Sequence, residues 1–87
     1  MTSIATEHAG EAAHTLRQAS LIDDPYMRAD AVWEAVVRVQ QAAARLSGDA
    51  AAGCAAIAAR LEEGCEAGGD TPTAGALRAY ARRLDAI

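Results

Sequence analysis

The residues best equipped for chemistry lie early in the chain, where His8, Glu11 and His14 follow one another at steps of three. On a helix such steps place side chains on adjoining parts of one surface, and Glu-x-x-His is the spacing with which helical bundles hold paired metal ions. A centre of that kind needs carboxylates from several helices converging on the interior. Glu11 and His14 fall on the side of their helix opposite Leu16, and the Glu-x-x-His motif occurs once. The expectation is a solvated pair, with no metal and no other cofactor. Cys54 and Cys65 offer thiol chemistry, but on one helix their separation puts the Cα atoms about 16 Å apart along the axis. A disulfide needs an approach within about 7 Å. Both cysteines read as reduced thiols filling small apolar positions.

The run Ala13-His14-Thr15-Leu16-Arg17-Gln18-Ala19-Ser20 resembles the phosphoacceptor stretch of histidine phosphotransfer domains, which are also four-helix bundles. In that family an exposed histidine is followed by Lys three positions on and Gly four positions on. Here those positions hold Arg17 and Gln18. The resemblance implies a phosphoryl group carried on His14 and neutralised by Arg17, with the Gln18 side chain standing where the family leaves room for its partner. The pattern of small secreted WXG-type helical hairpins is not met: Trp33-Glu34-Ala35 lacks the glycine, and Leu84 holds the place of their C-terminal acidic residue. There is no glycine-rich loop with a lysine, no serine in a nucleophile elbow and no Cys-x-x-Cys. A non-enzymatic protein is expected.

A third feature is electrostatic. Glu62, Glu63 and Glu66 crowd the C-terminal turns of one segment, where the helix dipole already disfavours negative charge. Arg78, Arg82 and Arg83 follow in the next segment, and pairing between the two groups within the chain, or plain solvation, is the simplest relief. Otherwise the six residues form a candidate interaction surface, with the acids as a docking site for a cationic partner.

The elements that position these residues follow from composition. Alanine fills 24 of the 87 positions, proline occurs only at Pro25 and Pro72, and Lys, Asn and Phe are absent. Such a chain is all-helical. A first segment, about Ser3 to Ser20, sets Ala5, Ala9, Ala12, Leu16 and Ala19 on one face and Glu7, Glu11, His14 and Gln18 on the other. In the second, Asp24 caps and Pro25 takes the first helical position. Ala29, Val32, Trp33, Val36, Val39, Gln40 and Ala43 then form an apolar stripe with Trp33 as its anchor. Asp30, Glu34, Arg38, Gln41 and Arg45 lie opposite, Glu34 and Arg38 forming an i, i+4 pair. Ser47-Gly48 ends this helix, and Asp49 caps a third whose shared face is Cys54, Ile57, Ala58, Leu61 and Cys65. Gly53 and Gly64 weaken it, which fits a close approach of another backbone. Asp70 or Thr71 caps the fourth, in which Thr73, Leu77, Tyr80, Leu84 and Ile87 make a seam.

Short connections favour antiparallel neighbours, so the expected fold is a small all-α antiparallel four-helix bundle in one domain over residues 1–87. A three-helix bundle with a mobile first helix is the alternative. Small side chains make a thin core, which favours self-association. The formal net charge of −4 argues against a nucleic-acid partner, and no segment is long and apolar enough for a membrane. The expectation is a cytoplasmic protein acting through protein contacts, as a homo-oligomer or as an accessory subunit of a larger assembly. The rival is a phosphotransfer or metal-handling bundle centred on His14.

Overall fold

Three helices of this chain begin where a side-chain oxygen accepts their first orphan N–H groups. The computed structural model describes residues 3–66 and 72–87, with α1 at Ile4–Ala19, α2 at Pro25–Arg45, α3 at Gly48–Glu66 and α4 at Ala74–Asp85. Ser3 caps α1 by accepting from the Thr6 N–H, and Asp24 caps α2 by accepting from the N–H groups of Tyr26 and Met27. Pro25 occupies the first helical position, where its missing N–H costs nothing. The cap of α4 is Thr73, whose hydroxyl accepts from Ala76 N–H at 3.2 Å. Thr73 is therefore exposed and extended rather than part of the buried seam. The expected caps Asp70 and Thr71 lie outside the described residues.

Helix α2 stops at Arg45, Leu46 turns extended, and Gly48 at φ +63° leads into α3. A side chain there would be strained, so the glycine is needed. Asp49 sits in the first turn of α3 rather than ahead of it, where its carboxylate still opposes the positive end of the dipole.

The four helices contribute to one core, so the chain is an all-α four-helix bundle. Helix α1 packs against both α2 and α4, and α2 also packs against α3; α3 and α4 approach each other much less. Far from being a mobile appendage, α1 is built into the centre: Ala5, Ala9, Ala12, Leu16 and Ala19 are buried as their spacing predicts, joined by Ala13. On α3 the shared face of Cys54, Ile57, Ala58 and Leu61 is buried, with Cys65 half-buried at its end. No helix among the described residues is long and apolar enough to cross a membrane.

Two expectations about packing are corrected. The buried stripe of α2 is Val32, Ala35, Val36, Val39 and Ala42, rotated away from Trp33 and Gln40, which are exposed. Ala35 and Ala42 are small enough to let α2 lie close to the alanine face of α1, and the bulky indole is left at the rim. On α4, Leu77 and Leu84 are fully buried in the chain's own core, and Tyr80 and Ile87 are half-buried against it. That seam is consumed internally.

The two glycines of α3 differ. A Cβ on Gly64 would stand 2.7 Å from Cγ of Pro72, so the expected close approach exists there, made by a proline ring at the entry to α4. A Cβ on Gly53 would meet no atom of another element within 4 Å among the described residues, so the approach expected there is not made by them.

Candidate functional site

Between the outer edges of α1 and α2 runs an open groove of about 1240 Å³. Helix α1 lines it with Glu7, Gly10, Glu11, His14 and Thr15, and α2 with Glu34, Val37, Arg38 and Gln41. His14 and Glu11 are thus both exposed on this groove, as expected from their position opposite Leu16. Glu11 pairs with Arg38, Oε2 to Nη1, at 3.1 Å, and the same nitrogen lies 3.5 Å from Nδ1 of His8. Arg38 therefore engages α1 across the groove rather than Glu34 one turn away on its own helix. With its carboxylate held by a guanidinium, Glu11 is poorly placed to act as a base or ligand. Among the described residues no group of three His, Cys, Asp or Glu side chains is arranged to hold a metal ion.

Arg17, which the phosphotransfer resemblance would aim at a phosphate on His14, instead pairs with Asp85 at the end of α4. Ser20 closes the same end of α1 by donating its hydroxyl to the Arg17 carbonyl at 2.6 Å. Gln18 is exposed.

Among the described side chains, Glu62 and Glu63 of α3 form no ion pair with Arg78, Arg82 or Arg83 of α4. Helix α4 lies on α1, and the two ion pairs among the described residues are Arg17–Asp85 and Arg38–Glu11. Arg78, Arg82 and Arg83 are exposed, with the Arg83 guanidinium 6.0 Å from the Tyr80 ring centroid. Glu63 is exposed, while half-buried Glu62 accepts a hydrogen bond from Gln40 Nε2 at 2.7 Å. Gln40 thus ties α2 to α3 at the core's edge. Glu66 closes α3.

Cys54 is the described group with a clear shift in acidity: burial among apolar neighbours pushes its thiol above the ordinary range. That suits a packing role and opposes a nucleophilic one.

Sequence reasoning missed the apolar side chains that remain outside the core. Tyr26 is 83% exposed, Val37 51% and Trp33 38%, and Leu21 and Met27 are exposed too. Positions 26, 33 and 37 fall within a narrow sector of α2, on its outer face. The signal was present in the spacing, since the three share a face with Asp30 and Gln41, but the size of Trp33 drew it into the core stripe. Comparison with protein-family models, curated proteins and solved structures gives no match.

Proposed function

We propose that this chain is a non-enzymatic helical module that works through protein–protein contacts, and that the outer face of α2 is its contact surface. The observation that carries the reading is the alignment of Tyr26, Trp33 and Val37 on one exposed helical face, with Met27 and Leu21 exposed as well. Aromatic residues and methionine are enriched in interface cores, and a solvent-facing cluster of them is a recurrent mark of a binding site. The α1 wall of the groove offers less: Glu11, three residues before His14, is already paired with Arg38. The buried, unbridged thiol of Cys54 fits a reducing compartment such as the cytoplasm.

The test is site-specific photo-crosslinking in the living source cell, with a photoreactive phenylalanine analogue placed at Tyr26, at Val37 or, as control, at Arg78. Adducts from the two α2 positions and none from the control are expected. Adducts confined to the α4 position would transfer the contact surface there, and labelling by a phosphorylated receiver domain at His14 would favour the phosphotransfer reading.

A further inference from the structure

We infer that the occupant of the α2 face is a second copy of this chain, with the two α2 helices packed antiparallel about a two-fold axis at the level of residue 35. The inference rests on reading α2 as the contact surface and adds the partner and its orientation.

The face is built on positions 26, 30, 33, 37, 41 and 44, steps of four and three that keep to one side of a helix. This series is nearly symmetric about residue 35. Reversed on itself, it sets Trp33 of one copy beside Val37 of the other and Tyr26 beside Ala44. A two-fold contact requires this kind of self-matching, because the same patch must serve both sides.

The charges on the face match in the same sense. Asp30 lies on its N-terminal half with Glu34 beside it, and Arg38 and Arg45 flank its C-terminal half on the side toward α1, all four exposed. The face is therefore neutral as a whole while its two halves carry opposite sign. A uniformly acidic or basic partner gains from one half and loses to the other. A parallel copy would lay acid on acid and arginine on arginine. Only the reversed copy places Glu34 and Asp30 against Arg38, and does so at both ends of the contact. Among the described residues, Asp30, Glu34 and Arg45 take part in no ion pair within the chain, and Arg38 spends one guanidinium nitrogen on Glu11.

The core gives a reason for pairing. Its largest fully buried side chains are a few Leu, Ile and Val residues, whereas Tyr26 and the one internal methionine stay largely outside it and the one tryptophan keeps more than a third of its surface exposed. A second α2 covers Tyr26 and the exposed part of Trp33 at once.

The experiment is sedimentation equilibrium on the full chain, with circular dichroism as a check on folding. At tens of micromolar the expected mass is twice the 9.0 kDa of one chain. Val37→Glu, an exposed position, is expected to give a monomer of unchanged helicity. Glu34→Arg is expected to weaken association by about tenfold, and Glu34→Arg with Arg38→Glu to restore it. A parent protein that stays monomeric at several hundred micromolar overturns the proposal, as does a dimer indifferent to Val37→Glu and to the charge exchange. If the parent is monomeric while position 37 cross-links to another protein in cells, self-pairing fails and the contact surface stands. If position 37 yields no adduct of either kind, both fail.

Discussion

Arg17 and Asp85 pair across the last turns of α1 and α4, joining residues near the two extremes of the chain. Both side chains are nearly half exposed, so the pair is screened by solvent and its net contribution is small. Replacing either by alanine is expected to cost less than about 1 kcal/mol of global stability. The local effect is the more informative. Amide exchange in the last turn of α4 is expected to speed up in Asp85→Ala, while Leu16 and its neighbours exchange as before. An unchanged α4 terminus would show that Leu84 alone holds it.

Leu16 and Trp33 exchange the roles that side-chain size suggests. Leu16 is fully buried where α1 meets its neighbours, so Leu16→Ala is expected to cost about 2–5 kcal/mol and to leave much of the protein unfolded. Trp33→Ala removes a side chain that is more than a third exposed, and is expected to cost about 1–2 kcal/mol with a cooperative melt retained. Urea titrations of the two variants check the order, and a larger loss at Trp33 would restore it as the bundle's anchor.

The two glycines inside α3 are expected to respond oppositely to alanine. Gly53→Ala meets open space and is expected to stabilise by about 0.5–1 kcal/mol, the helix-propensity gain. Gly64→Ala drives a methyl into the Pro72 ring and is expected to lower the melting temperature despite the same gain. If Gly64→Ala stabilises as much as Gly53→Ala, Pro72 gives way at no cost.

Cys54 makes stability depend on pH. Its folded-state pKa is raised by burial, so the unfolded chain loses the thiol proton first as pH climbs through the ordinary thiol range, about 8.5. Above that pH the folded state binds more protons than the unfolded state, and stability falls until the folded thiol ionises. Unfolding titrations from neutral to alkaline pH are expected to show this decline, and Cys54→Ala to flatten it. The native thiol is also expected to resist alkylation until denaturant is added.

The expectation that failed most usefully concerns α2. Periodicity says which residues share a face, and both the Val32–Val36–Val39 stripe and the Tyr26–Trp33–Val37 stripe satisfy it. Choosing between them requires knowing how close the neighbouring helix comes, and Ala35 and Ala42 hold that information only jointly with the alanines of α1. The α1 face and the caps at Asp24 and Pro25 were legible because they depend on local chemistry alone. Partner choice was not: short connections suggested α4 beside α3, and the structure sets it on α1. At the groove, the exposure of Glu11 and His14 could be read from their position opposite Leu16. That Arg38 would take Glu11 rather than Glu34 could not, since it depends on the distance between two helices.

The face that α1 turns inward, Ala5, Ala9, Ala12, Ala13 and Ala19, also limits how this protein can vary over time. An alanine codon reaches Ser, Thr, Pro, Val, Asp, Glu and Gly by one base change. All but the last add bulk, and most add polarity as well. A leucine core degrades by losing atoms and leaving holes that neighbours can partly fill. This seam degrades by gaining them, against a helix with no room to withdraw. Inherited variation should therefore collect on the outer faces of the bundle, while the interior of α1 is held to a ceiling of one methyl group.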